Sequence, residues 1–334
     1  MKRLAVRLAV AASRLGSRNS YVLEEFAAGR SLDGAGRVAI FVHYDGSGRV
    51  HGFVVHHLKA LRLAGFEIVF VSNAPALHVE DVQKLRGDCA RILRRKNVGY
   101  DFGAYKDGLL TLGDLSRLDE VALVNDSIYG PLFDLRPLLS RCTDRAAIWG
   151  VTDSWEIQYH LQSYFLLFKK EALLSPAFRK FWNDVLYVPS KNWIIEQYEV
   201  GFTQKMLRSG LSCAALFPYQ QAVATVVEAA QSDALSGGNP TAPLLQYMAW
   251  AIEAVAKGVP LNPTHYLWEF LLEAGCPFLK RNLLVENSQR VPSLDRWPEI
   301  IRKGTSYDPG LIRQHMEAMG IAAPTEHPSP AALA

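Results

Sequence analysis

Apolar and polar positions fall into two alternating kinds of run along the first half of the chain, and their order predicts a layered α/β fold. Residues 37–45 (RVAIFVHYD) read as a strand that enters at a charge and leaves at a polar cluster. After a glycine-bearing turn, Val50, Phe53, Val54, His57, Leu58 and Leu61 recur at helical spacing, and Gly65 supplies the stop. A second strand follows at 66–74, a weaker helix around 79–86 and a short strand at 90–93. Residues 97–113 (NVGYDFGAYKDGLLTLG) are a glycine-rich turn opening a helix that feeds a strand at 121–126. Strands and helices alternating at this spacing require parallel pairing with right-handed crossovers.

The second half changes character. Strands are expected at 146–154, 163–171 and 213–219, and helices at 175–186, 194–209 and from Asn262-Pro263 to Gly275. The turn-rich stretch 232–243 marks a lobe boundary or a surface loop. The last 25 or so residues, rich in Pro and Ala, are expected to be poorly ordered.

Composition narrows the function classes. The 334 residues are 49% hydrophobic and 21% charged, as in an ordinary globular enzyme. A formal charge of +3, with no basic run interleaved with aromatics, gives no reason to expect a nucleic-acid partner. Cys89, Cys142, Cys213 and Cys276 are far apart, which suggests neither a zinc site nor a disulfide framework and fits a reducing, cytoplasmic compartment. No apolar run approaches the roughly 20 residues that span a bilayer. At the N-terminus Arg3, Arg7, Arg14 and Arg18 share a helical stripe beside Leu4, Leu8 and Leu15. Two readings stay open: a basic amphipathic helix on an anionic membrane surface, or a helix packed on its own domain.

Several polar groups are candidates for chemistry. The strand at 121–126 ends in Asn125-Asp126-Ser127 and runs on to Gly130-Pro131. Strand ends in α/β proteins are where ligands sit, although such a triplet also serves simply to cap a turn. With the glycine-bearing turn of Asn97, Gly99, Tyr100, Asp101 and Gly103, it has the layout by which nucleotide-sugar transferases hold a donor. His43, Tyr44 and Asp45, with Asn73, would lie along the base and ribose. Asp126 would meet the diphosphate through a divalent cation, which offsets charge developing on the leaving group.

On the 194–209 helix, Glu199 falls within the apolar stripe of Ile195, Tyr198, Phe202 and Met206, while Glu196 lies to its side. A carboxylate so placed loses hydration and becomes a better proton acceptor, unless an ion pair or the helix dipole holds it. Asp153, His160, Gln162 and Ser163 form a polar cluster suited to sugar hydroxyls, with Trp155 and Tyr159 able to stack on a pyranose; a plain polar hairpin is the alternative. His265, in the first turn of its helix, is a neutral-imidazole metal ligand or a satisfied core residue. A competing class is raised by DGSGRVHG (45–52), where Gly46, Gly48 and Gly52 suggest a nicotinamide-dependent oxidoreductase. The second strand, however, ends in Ser72-Asn73 without the acid that holds a ribose. A non-catalytic polysaccharide-binding or scaffold protein is the third class.

The stretches NVGYDFGAYKDGL (97–109), VNDSIYGPL (124–132), HLQSYFLLFKKE (160–171), YEVGFTQKMLRSG (198–210) and NPTHYLWEFLLEAGCPFLKRNLL (262–284) together resemble the rhamnan synthesis protein F family of glycosyltransferases. The resemblance implies an A-type glycosyltransferase (GT-A-like) fold: a mixed, mainly parallel sheet with helices on both faces and a helical C-terminal part. Residues 1–35 would then be the basic helix and linker, 36–225 the catalytic core, 226–290 a helical part completing the site, and 291–334 a tail. It further implies a nucleoside-diphosphate sugar donor, rhamnose by default, and an oligosaccharide or lipid-linked glycan acceptor in cell-surface polysaccharide or lipopolysaccharide O-antigen assembly, peripheral to the cytoplasmic membrane. Asn125-Asp126-Ser127 takes the place of the metal-binding DxD triplet, Glu199 that of the base of an inverting enzyme with Asp153 in reserve, and His265 that of a histidine completing the metal shell. Two of the triplet's usual carboxylates are here Asn and Ser. Mg²⁺ or Mn²⁺ held by Asp126 and His265, and metal-independent transfer with Lys or Arg neutralising the diphosphate, are both compatible with that departure.

Overall fold

In a computed structural model of the chain, residues 21–231, 242–292 and 294–321 are described, with positions 6, 9–11 and 13 near the N-terminus. The strands, in chain order, begin with β1 (Val22–Phe26), β2 (Arg37–His43), β3 (Glu67–Ser72), β4 (Arg91–Arg95), β5 (Glu120–Asn125) and β6 (Ile128–Tyr129). They continue with β7 (Ile148–Ser154), β8 (His160–Leu161), β9 (Phe165–Lys169), β10 (Cys213–Phe217) and β11 (Leu279–Lys280). The main sheet runs β1-β4-β3-β2-β5-β9-β7-β10. β4, β3, β2 and β5 are mutually parallel, as are β7 and β10, whereas β9 runs antiparallel between β5 and β7. The sheet is therefore mixed and mainly parallel.

Central strands such as β2 are buried on both faces, which is why they read as unbroken apolar runs. Two apolar layers cover the sheet. One gathers Phe41, Phe53, Leu58, Phe70 and Leu85 under α1 (Gly52–Leu63) and α2 (Val79–Arg86), together with the C-terminal residues Trp297, Ile301, Ile312 and Met316. The other gathers Ile40, Val71, Phe102, Phe178, Trp182 and Phe202 beneath α3 (Tyr100–Leu110) and the helices Pro176–Asp184 and Gly201–Arg208. Gly108 lets α3 come this close, since a Cβ there would stand 2.5 Å from Ile40 Cγ2.

The expected strands and the helical C-terminal part are present. The helix expected over 194–209 is interrupted: residues Ile195–Val200 form a π-helical turn ahead of Gly201–Arg208. β1 went unforeseen because VLEEF is mostly exposed; its Glu24 and Glu25 pair across to Arg94 and Arg91 at the sheet edge. The tail expected from 291 is corrected as far as residue 321. Trp297–Gly304 and Gly310–Ala318 are helices because each carries an apolar stripe with an uncovered face of α1 and the sheet to bury it on.

Near the N-terminus Val6, Ala9 and Val10 pack on the second layer, and Ser13 Oγ accepts the Tyr187 amide at 3.0 Å. The four arginines of the N-terminal stripe, most of the 232–243 boundary and residues beyond 321 lie outside the described residues. Among the described residues no helix is long and apolar enough to cross a membrane, and the four cysteines are free thiols.

Candidate active site

β3 and β5 flank β2 on opposite sides, so the connections leave in opposite directions, the arrangement in which α/β folds place ligands at the C-terminal strand ends. Tyr44 and Asp45 emerge there from β2, and Asn125-Asp126-Ser127 from β5. The Tyr44 amide donates to Asp126 Oδ2 at 3.0 Å, tying the two strand ends together.

The triplet's two uncharged members form a relay. Lys280 Nζ donates to Ser127 Oγ at 3.1 Å, Ser127 Oγ to Asn125 Oδ1 at 2.5 Å, and Asn125 Nδ2 to Asp101 Oδ2 at 2.9 Å. An ammonium is thus wired to a carboxyl through an alcohol and an amide. Antiparallel pairing of β11 with β6 brings Lys280 opposite Ile128, and the Arg281 amide donates to the Ser127 carbonyl at 2.8 Å. Arg281 then reaches Asp126 Oδ2 with its guanidinium at 3.3 Å.

The electrostatics follow from this crowding. Burial, then the charges of Asp126 and Glu199, push the Asp101 carboxyl up to about 6 against the pull of Lys280 and Arg281. Burial lowers the Lys280 ammonium, opposed by Glu199 and Asp101. Its ring neighbour is Tyr164, 5.0 Å from the centroid.

Glu199 stands on the π-helical turn, half-buried, while Glu196 is exposed. Its Oε1 accepts from the Ser163 amide at 3.0 Å and the Ser163 hydroxyl at 2.9 Å. One carboxylate oxygen is thereby fixed and the other has no hydrogen-bond partner among the described residues. Such single π turns recur at functional sites because the extra residue re-aims a side chain.

The remaining candidates are placed as follows. Asn97 is exposed, and Gly99 (φ +81°) and Tyr100 (φ +49°) make two successive left-handed residues before α3, a conformation that glycine adopts freely and tyrosine does not. Asn73 Oδ1 accepts from Arg95 Nη1 at 2.6 Å. His43 is enclosed between Ser72 Oγ and the Arg49 carbonyl, each at 3.0 Å, and burial lowers its pKa. Asp45 closes its own turn; against the cost of burial, bonds from Ser47 and Arg49 hold it at about 2.

Asp153 Oδ1 accepts the Tyr219 amide at 2.6 Å, capping the helix Tyr219–Gln231, and burial raises its pKa. Gln162 spans Thr152 and Asn262, at 2.6 and 3.3 Å. His160 meets the Gln158 carbonyl at 2.8 Å. Trp155 is exposed with its ring 5.1 Å from Tyr159. The sequence reading gave no role to Lys280 or Arg281. A Lys-Arg pair inside the mostly apolar CPFLKRNLL was the available signal, since paired charges in such a run need a partner.

These residues do not fit a resident divalent cation. Asp126 is engaged by Arg281 and the Tyr44 amide. His265 Nε2 faces Asn282 Oδ1 at 3.1 Å, and burial followed by Lys280 lowers its pKa to about 4. Among the described residues no three His, Cys, Asp or Glu side chains are grouped to hold a metal. Two fixed cations, Lys280 and Arg281, stand on the triplet where a dication would have to sit.

A family model described as rhamnan synthesis protein F matches residues 68–233. The chain is 29% identical to the virulence protein VirA of Vibrio anguillarum over 269 residues, 77% of this chain and 82% of that protein. It is 30% identical over 186 residues to an uncharacterised protein of Sinorhizobium fredii, covering 54% of this chain and 48% of that one. Among solved structures, a galactosyltransferase complexed with donor and acceptor sugar analogues overlaps 84% of this chain and 99% of its own at 13% identity. Its TM-score of 0.33 is too low to carry anything over from it.

Proposed function

From the premise that the chain belongs to the rhamnan synthesis protein F family, whose model matches residues 68–233, we propose that it is a glycosyltransferase. It moves a sugar from a nucleoside diphosphate to a glycan acceptor in bacterial cell-surface polysaccharide assembly. The observation that carries this reading is the convergence of Asp101, Asn125-Asp126-Ser127, Glu199 and Lys280-Arg281, from four separate stretches of chain, at the C-terminal ends of β2 and β5. A turn residue needs no such company.

The reaction is a single displacement. Glu199, with one oxygen fixed by Ser163, takes the proton of an acceptor hydroxyl through the other. The hydroxyl oxygen attacks the anomeric carbon, and the bond to the diphosphate breaks with its electron pair leaving on the nucleoside diphosphate. Configuration is inverted. Tyr44, Asp45 and the 97–103 turn border the nucleoside, and Trp155 and Tyr159 offer the acceptor an aromatic surface beside the polar Gln162 and His160. Rhamnose, the sugar in the family's name, is the default donor sugar, and the acceptor is a growing or lipid-linked glycan at the inner membrane face. Asp153 is the reserve base.

The nicotinamide reading is disfavoured by the turn ahead of α1. Asp45 Oδ1 accepts the Ser47 and Arg49 amides at 2.9 and 3.1 Å and the Asp45 carbonyl accepts that of Gly48 at 3.2 Å, so the amides a pyrophosphate would need are already taken.

Thermal unfolding against a panel of nucleoside diphosphates tests the proposal. A ligand at a hundred times its dissociation constant adds about 2.7 kcal/mol. One diphosphate is expected to raise the melting temperature, with the shift reduced in Lys280→Gln. A shift with a nicotinamide dinucleotide instead would overturn the proposal.

A further inference from the structure

We infer that Lys280 and Arg281 hold the donor diphosphate in the role a divalent cation would otherwise play, and that binding and transfer proceed without metal. This rests on the transferase reading above and deepens it.

Three observations support the assignment. Both side chains are held at the triplet by backbone pairing, with Lys280 opposite Ile128 across β6–β11 and the Arg281 amide on the Ser127 carbonyl. Their position is fixed before any ligand arrives. Second, the ammonium is under-used. Ser127 Oγ is its hydrogen-bond acceptor, and among the described residues no carboxylate lies within ion-pair distance of it. Beyond the Tyr164 ring, 5.0 Å away, its other two donors have no oxygen or nitrogen acceptor among the described residues, on a half-buried group whose charge burial disfavours. An anion landing there would relieve that cost. Third, Arg281 is held by Asp126 through one nitrogen, leaving the rest of its fork for a phosphate oxygen.

The composition of the triplet then has a cause. A dication would want carboxylates at 125 and 127. An ammonium wants a neutral acceptor, and Ser127 supplies it, while Asn125 both accepts from Ser127 and donates to Asp101. Carboxylates at those positions would neutralise Lys280 and repel the phosphates.

Calorimetric titration with the nucleoside diphosphate that stabilises the full-length protein, in EDTA and in Mg²⁺, decides the matter. Expected are dissociation constants agreeing within about twofold in the two buffers. Lys280→Gln keeps a donor for Ser127 and should weaken binding roughly 10- to 100-fold in both buffers, as loss of a charge-assisted bond does. Arg281→Gln combined with Asp126→Asn removes the pair without stranding a charge and should weaken it similarly. Binding that appears only with Mg²⁺, or folded variants that bind as wild type does, overturns the clamp while leaving a transferase. No diphosphate bound in either buffer overturns the transferase reading and the clamp together.

Discussion

Asp101 carries a cost that the fold itself has no need of. Its carboxyl is raised from an ordinary 3.8 to about 6, so the folded chain holds a proton there that the unfolded chain releases. The sign is that of a penalty: stability falls as pH rises from about 4 to 6, and the loss is complete above that. Asp101→Asn keeps an acceptor for the Asn125 amide and removes the charge. The variant should gain about 1–3 kcal/mol at pH 7.5 and nothing below pH 4, read from denaturant midpoints at both pH values. Glu199 is the opposite case, a residue that touches the reaction and little else. Glu199→Gln can still accept both Ser163 bonds, so it should fold normally, bind donor as wild type does, and lose roughly 10²- to 10⁴-fold in kcat.

Among the elements, the turn at 97–103 depends on a buried ion pair. Arg95 Nε meets Asp107 Oδ2 at 2.6 Å with both side chains fully enclosed, and the remaining guanidinium nitrogens reach Asn73 Oδ1 at 2.6 Å and the Val98 carbonyl at 2.8 Å. Asp107→Ala strands that guanidinium and should cost about 3–5 kcal/mol in chemical denaturation. The parallel strands were legible in the sequence because burial on both faces leaves β2, β3 and β5 as unbroken apolar runs. β1 was not, since an edge strand of mostly exposed residues has no apolar signature. The π turn was hidden for a different reason: spacing alone cannot show one inserted residue, and 194–209 reads as a single regular helix. Asp126 and Glu199 could be picked out because each interrupts an apolar pattern locally. Lys280 and Arg281 could not be given a role, because what they meet is set by a pairing of β11 with β6 across about 150 residues of chain.

For the molecule as a whole, the C-terminal helices are part of the core. Trp297 and Met316 are all but fully enclosed and Ile301 and Ile312 completely so, and His315 Nδ1 is bonded to the Tyr129 hydroxyl at 2.8 Å, one strand from the triplet. Ending the chain after residue 292 forfeits four large buried side chains at about 1.5–3 kcal/mol each, a sum comparable with the total stability of a domain. Such a truncation should lose its cooperative melting transition by circular dichroism. The central claim is that the site at the C-terminal ends of β2 and β5 transfers a sugar. Its most direct test is to follow nucleoside-diphosphate sugars by NMR with purified protein, the slow reaction with water standing in for the acceptor. The account predicts that one donor yields free nucleoside diphosphate and a sugar of inverted anomeric configuration, and that Glu199→Gln abolishes this while still binding the diphosphate. Donors that all remain intact, or are consumed equally by Glu199→Gln, would contradict it.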